Sequence, residues 1–380
     1  MRTKGCGIVC EYNPFHKGHK YQIEYIKQNL GLPVICAMSG NFVQRGEASC
    51  TDKKSRAHSA VKNGADIVLE IPFPYCSMTA ERFAKAGVDI LAKSSLCSHI
   101  AFGSECADVL KLEKIAVFLL DDQAKLSIQV YQSNNPNSSY AVARSEVVKA
   151  ALGEEFSRIL SNPNDILAIE YIKAIKSENY NLIPVAIKRT VDRCDENKGE
   201  FASSSYIRTL LAQGKQPEAS GFVPDGTDLA EFVQNHAFYE VIHASFTTRT
   251  PEQLANICEI SGGLEYAIIS AAKNSHNYAE MLENLRSKTL TDAKIRRMLL
   301  FGFFGLTKQL ANEPVMYTQI LACSENEHAL ELLRKARKEK QIILARRISE
   351  IRKDTDAFKQ FKFCLDAEKT LTITQKLSVK

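Results

Sequence analysis

The sequence predicts an α/β fold: a parallel sheet with helices on both faces, followed by a mainly helical C-terminal domain. Three observations carry that expectation. Short apolar runs alternate with helix-period stretches through the first half of the 380-residue chain, the signature of β-α-β units around a buried parallel sheet. A polar stretch bearing Gly and Pro, QGKQPEASGFVPDGTD, occupies residues 213–228 and has the composition of a linker. Beyond it, Leu254, Ile257, Leu282, Leu285, Met298, Leu299 and Leu300 fall on helical periodicity. The expected division is therefore a first domain over 1–212, a linker over 213–228 and a helical domain over 229–380.

Taken in order, Gly5–Cys10 (GCGIVC) is a continuous apolar strand, and residues 33–38 (PVICAM), 66–71 (DIVLEI) and 99–102 (HIAF) complete a set of four. Helices are expected at 18–30, 52–63 and 79–91. The second of these starts on an N-cap acid, Asp52, and stops at Gly64, matching the signals for helix ends. Residues 105–180 read as mostly helical, and 182–187 (LIPVAI) offers one more strand. Residues 337–347 read as a charged helix, and the tail from Phe358 is compatible with a short strand.

Composition narrows the class. Hydrophobic residues at 45% with 24% charged suit a folded soluble protein with a sizeable core. Eleven cysteines, an odd number with no C-x-x-C pair, exclude a disulfide scaffold and a paired-cysteine zinc site, and fit reduced thiols in a cytoplasmic protein. Neither a signal peptide nor a membrane span is expected. The net charge of +5 permits a polyanionic partner without requiring one. Basic residues cluster late: Arg286, Lys288, Lys294, Arg296 and Arg297, then Arg334, Lys335, Arg337, Lys338, Lys340, Arg346 and Arg347.

The informative segment is GIVCEYNPFHKGHK, residues 7–20. A strand enters a turn at Asn13-Pro14, and His16 and His19 follow with Gly18 between them where a helix begins. Glycine lets the backbone come close to a ligand, and a helix N-terminus offers free N–H groups and about half a positive charge, which favours phosphate. The dipole alone is worth roughly 1–2 kcal/mol at best, so the imidazoles must supply the rest. His16 and His19 would donate to phosphate oxygens as charge develops during attack at the α-phosphorus, with Lys20 adding a fixed charge. No further ligand set accompanies the pair, so no metal is expected there. A second feature, SSSYIR, places Ser204, Ser205 and Arg208 at another helix start, suited to phosphate.

HKGH after the first strand and SSSYIR near the end of the α/β part together resemble the H-x-G-H and I-S-S-T-x-x-R motifs of the nucleotidylyltransferase superfamily. The ordered blocks GIVCEYNPFHKGHKYQI, SGNFVQRGE, GADIVLEIPF, AERFAKAGVDIL, FGSE, PNDILAIEYIKAI and IKRT, and more loosely TLTDAKIRRMLLFGFFGL, resemble the bacterial tRNA(Met) cytidine acetate ligase family. That resemblance implies a Rossmann-like sheet and ATP-dependent activation of acetate as acetyl-adenylate. The acetyl group would then pass to N4 of the wobble cytidine of elongator tRNA(Met), with Mg2+ accompanying ATP. It implies an ATP-binding segment of Gly7, Ile8, Val9, Cys10, Glu11, Tyr12, Asn13, Pro14, Phe15, His16, Lys17, Gly18, His19 and Lys20. Further ATP contacts fall on Gly103, Asn164 and Arg189. Lys288, Lys294, Arg296 and Arg297 are candidate tRNA contacts, and Asn41, Gln44 and Arg45 could hold acetate or the base or simply order a loop. An adenylyltransferase acting on a small phosphorylated metabolite is the alternative reading.

Overall fold

The computed structural model describes residues 4–189, 201–229, 232–287, 290–339 and 341–378. From the N-terminus, β1 (Gly5–Cys10) leads through α1 (Lys17–Leu30) to β2 (Val34–Ser39). A short hairpin, β3 (Phe42–Val43) and β4 (Glu47–Ala48), precedes α2 (Lys53–Lys62), β5 (Ile67–Ile71), α3 (Ala80–Lys93) and β6 (Cys97–Ser104). Then come α4 (Val109–Leu120), α5 (Asp122–Asn134), α6 (Tyr140–Leu152), α7 (Glu154–Ile159) and α8 (Pro163–Ser177), which lead to β7 (Ile183–Lys188). The chain continues through α9 (Ser204–Ala212), α10 (Gln216–Ser220), α11 (His236–Thr247), α12 (Pro251–Leu254), α13 (Leu264–Lys273), α14 (Tyr278–Leu285), α15 (Asp292–Phe304) and α16 (Lys308–Asn312). It closes with β8 (Tyr317–Cys323), α17 (Glu327–Glu339), β9 (Ile343–Ala345) and α18 (Asp356–Ser378).

The five strands expected from the apolar runs form the parallel part of one sheet, ordered β7-β6-β1-β2-β5-β8-β9. Alternation along each strand divides its two faces. Cys6, Ile8, Val34, Cys36 and Met38 pack with Ile23 and Ile26 of α1 and Ala57 and Ala60 of α2. Ile35, Ala37, Ile67, Leu69 and Ile71 belong to the opposite cluster, with Phe83, Val88 and Leu91 of α3 and Ala168 and Ile172 of α8. Helices therefore cover both faces. A Cβ on Gly7 would lie 2.7 Å from Leu91 Cδ1, so a bare backbone there lets α3 seat against β1. β2 flanks β1 on one side and β6 on the other, and open α/β sheets bind ligands at the strand C-termini where the order reverses.

The C-terminal part departs from a purely helical expectation. β8 pairs antiparallel with β5, and β9 runs parallel to β8. A charged helix over 337–347 is not what forms: α17 ends at Glu339, and Ile343–Ala345 is a strand. The tail from Phe358 is part of a 23-residue helix, not a strand. Its buried Phe361, Cys364, Ala367 and Leu371 recur at helical spacing. Residues 213–228 are seated on their neighbours, because Ala219 and Val223 pack with Ile207, Leu210 and Leu211 of α9.

Candidate active site

The six residues after β1 aim the histidines. Tyr12 takes a φ of 49° and the Asn13-Pro14 bond is cis. Tyr12 and Phe15 are buried edge to face, with ring centres 4.9 Å apart, and His19 packs on them at 4.7 and 5.7 Å. The side chain of Asn13 accepts the Cys50 N–H at 2.8 Å.

His16 then caps α1. The Gly18 N–H donates to His16 Nδ1 at 3.1 Å, and the His16 N–H donates to His19 Nδ1 at 3.2 Å, a capping box made of two imidazoles. The rings stack with centres 3.6 Å apart and planes 20° apart. Burial, followed by the charge of Arg189, lowers His16 to about 3. Burial, then His16 and Arg189, carries His19 well below its usual value. Both rings are therefore neutral near pH 7, and with each Nδ1 accepting a backbone N–H, each proton resides on Nε2. Two Nε2–H donors at a helix N-terminus form a grip for an anion. A Cβ on Gly18 would sit 3.0 Å from His16 Cε1, so the glycine makes room for the ring that the sequence pairs with it.

A second wall comes from β6 and β7. Arg189, directly after β7, donates its N–H to the Ser104 carbonyl at 3.1 Å, and its side chain crosses Gly103, where a Cβ would meet Arg189 Cγ at 3.3 Å. Glu105 gathers the rest. Asn164 Nδ2 donates to its Oε1 at 2.5 Å, the Asp165 N–H to its Oε2 at 3.1 Å, and Arg189 Nε lies 3.9 Å from Oε1. The structure thus brings Gly103, Asn164 and Arg189 together around a carboxylate that sequence reasoning quoted within FGSE without singling it out.

The serine motif closes on the histidine turn. Ser203 caps α9, Ser204 Oγ donates to the Pro14 carbonyl at 3.4 Å, and Arg208 donates to the Asn13 carbonyl at 2.7 Å and to Ser205 Oγ at 3.3 Å. The Lys17 N–H donates to the Phe222 carbonyl at 3.0 Å. Ile8, Val9 and Cys10 build the sheet, and Lys20 lies half-exposed on α1 with Glu24 3.8 Å away.

On the β2 side, the Gln44 N–H donates to Glu11 Oε1 at 2.8 Å and Gln44 Nε2 to the Met78 carbonyl at 3.1 Å. Asn41 Oδ1 accepts the Lys53 N–H at 2.8 Å, and Arg45 is exposed. Arg56, only 2% exposed, donates to the carbonyls of Thr51, Glu11, Ser39 and Gly40. It fastens the ends of β1 and β2 beneath the site. No sequence signal marked Arg56 beyond a cation within α2.

Among the candidate RNA contacts, Arg297 is 7% exposed and held by Glu259 at 2.8–3.1 Å, and Arg296 pairs with Glu47 at 2.9 Å. Lys294 is half-buried, and Lys288 and Lys340 lie outside the described residues. Arg334, Lys338, Arg346 and Arg347 are exposed. The cysteines among the described residues are free. Glu70, Cys364 and Glu368 stand close enough to hold an ion, but the Lys53 ammonium is already there, 2.8 Å from Glu70 and 2.6 Å from Glu368. Among the described residues, no helix is long and apolar enough to cross a membrane.

A parallel sheet with a stacked histidine pair at its first crossover is the arrangement of a nucleotidyl transferase, and a family model described as HIGH Nucleotidyl Transferase matches residues 3–380. Curated relatives agree. A tRNA(Met) cytidine acetate ligase of Thermoanaerobacter sp. (strain X514) is 32% identical over 98% of this chain and 96% of its own length. Another, of Thermosipho africanus, is 36% identical over 80% of this chain and 75% of its own. The chain belongs to the tRNA(Met) cytidine acetate ligase family. Among solved structures, Thermotoga maritima TmcAL bound with alpha-thio ATP superposes with a TM-score of 0.89 at 26% identity, covering 98% of this chain and 95% of that one. Its apo form reaches 0.91 at 27% identity with the same coverage.

Proposed function

We propose that this protein uses ATP to activate acetate as acetyl-adenylate, releasing pyrophosphate, and passes the acetyl group to N4 of the wobble cytidine of elongator tRNA(Met). The observation that carries the reading is the stacked pair His16 and His19, neutral, each with Nδ1 occupied by a backbone N–H and its proton left on Nε2, in a chain whose relatives bear that ligase name. An acetate oxygen attacks the α-phosphorus, and the developing equatorial charge is met by the two Nε2–H groups, the first N–H groups of α1 and Arg189. Such donors are fixed before the reaction and need no reorganisation during it. Magnesium enters with the triphosphate as part of the substrate. In this reading residues 1–212 make the ATP site and 229–380 present the RNA. Lys288, Lys294 and the exposed Arg334, Lys338, Arg346 and Arg347 then serve as backbone contacts.

Exchange of labelled pyrophosphate into ATP, with and without acetate, tests the first step, and transfer of labelled acetate into purified tRNA(Met) tests the second. Acetate-dependent exchange and labelled tRNA are expected. Exchange that ignores acetate and needs a phosphorylated metabolite would replace this reading with that of a metabolite adenylyltransferase.

A further inference from the structure

Besides Glu105, a second carboxylate, Glu11, stands at the rim of the cradle. It is the first residue after β1 and immediately precedes the turn that leads to His16 and on into α1, which carries His19. Its Oε1 accepts the Gln44 N–H at 2.8 Å, and its carbonyl accepts from Arg56. Among the described residues, Oε2 accepts no hydrogen bond. The side chain is half-buried, so this oxygen is neither committed to the fold nor lost in bulk water.

Position separates Glu11 from the nucleotide wall. Gly103, Asn164, Glu105 and Arg189 lie on the β6 and β7 side of β1. Glu11 is tied instead to the hairpin after β2, and Arg56 fixes it to the β2 end through Ser39 and Gly40. If the nucleotide occupies the first side and its α-phosphate meets the histidines, the acyl carbon of an adenylate projects toward the second. The partner that must approach there carries an exocyclic amine, a donor that pairs with a carboxylate.

We propose that Glu11 binds the exocyclic amino group of the target cytosine and takes up its proton as the acetyl group arrives. The inference rests on the acetyl-adenylate reading above. The N4 lone pair attacks the acyl carbon and the C–N bond forms. The bond from that carbon to the phosphate oxygen breaks, and AMP leaves with the electron pair. One N4 proton passes to Glu11 Oε2 and from there to water.

The surroundings suit the task. Burial raises the Glu11 carboxyl above its ordinary pKa, against the Gln44 N–H it accepts and the opposing charges of Arg208 of α9, Arg45 of the hairpin and Arg56 of α2. Cys76, in the turn Tyr75–Ser77, and Tyr171 of α8 also feel its charge. A carboxylate raised in this way is a better base than an exposed one.

The test supplies preformed acetyl-adenylate and tRNA(Met) to the full-length protein and follows single-turnover transfer from pH 5.5 to 8.5. The native rate should climb with pH as Glu11 ionises and then level. Glu11→Gln keeps an acceptor for Gln44, and it should lose that limb and transfer about 100-fold or more slowly. Glu11→Asp should retain the limb at a reduced rate. Acetate-dependent pyrophosphate exchange by Glu11→Gln should fall far less than transfer. Native rate and profile in Glu11→Gln overturn the proposal. So does an equal loss of exchange and transfer, which would make Glu11 a ligand of ATP or its magnesium. Absence of acetate-dependent exchange in the native protein would instead remove the underlying reading.

Discussion

Arg208 donates to the carbonyl oxygen of Asn13 at 2.7 Å, joining two sequence motifs that lie 195 positions apart. The contact makes α9 a brace for the turn that aims His16 and His19. Arg208→Ala removes a charged donor, a class of hydrogen bond worth about 1.5–3 kcal/mol, and also a guanidinium beside the histidine turn. A fall of about 10- to 100-fold in kcat/KM for ATP is expected in pyrophosphate exchange. Arg208→Lys should recover part of it, since a single donor can reach one carbonyl but cannot fork to Ser205 as well.

The neutral histidines give a pH signature. His16 is lowered from an ordinary 6.5 to about 3, so between those values the unfolded chain binds a proton that the native ring refuses. The stability contributed by the neutral ring is therefore full above about pH 6.5 and is lost progressively as pH falls toward 3. Asn can cap a helix without titrating. Urea midpoints measured at pH 7 and pH 5 should drop further in the native protein than in His16→Asn. The same substitution should cost about 100-fold or more in adenylate formation, the usual scale for losing a fixed donor to a transition state.

What the chain disclosed by itself follows the range of the interactions. The strands of the parallel sheet and the helices α1 to α3 were legible because periodicity and caps such as Asp52 are local. His16, Gly18 and His19 were legible for the same reason, although the purpose of Gly18 was not, since the room it makes is for His16. β8 escaped because YTQILAC is a short apolar run that periodicity alone does not assign, and its partner β5 lies some 250 positions earlier in the chain. Arg56 and Glu105 escaped because their roles consist of contacts from elsewhere in the fold, four carbonyls in one case and three other residues in the other.

Arg297 shows how a charge run can mislead. In sequence it belongs to a basic cluster suited to RNA; in the fold it is a buried bracket to Glu259, which itself sits at a φ of 63°. Removing one partner of a buried pair typically costs 3–5 kcal/mol, because the other charge is left uncompensated. Arg297→Ala should therefore lower stability by about 3 kcal/mol in urea unfolding. The double variant Arg297→Met with Glu259→Leu should return most of the loss. An unchanged midpoint in the single variant would show that the bracket contributes nothing.

Lys53 is the clearest case of one charge holding distant elements together. It lies on α2, between Glu70 of β5 and Glu368 of α18, and the side chains are 8%, 1% and 13% exposed. Burial opposes the ammonium, but Glu70 and then Glu368 hold its pKa well above the usual lysine value. Burial, followed by Glu70, raises Glu368 to about 7 even with Lys53 beside it. Lys53→Met would leave two buried carboxylates facing each other, at a cost of about 3–5 kcal/mol near neutral pH. The sign of the pH dependence then follows. A carboxyl raised in the native state binds a proton there that the unfolded chain, titrating near 4.5, does not, so its contribution is favourable in acid and is lost as pH rises through the native value. The urea midpoint of Lys53→Met should consequently lie closer to the native one at pH 5.5 than at pH 8, and adding Glu368→Gln should restore part of the deficit at pH 8. An equal deficit at both pH values would mean that the two carboxylates do not repel each other once the lysine is gone, and no deficit at either would mean that α18 is held to the sheet by its apolar face alone.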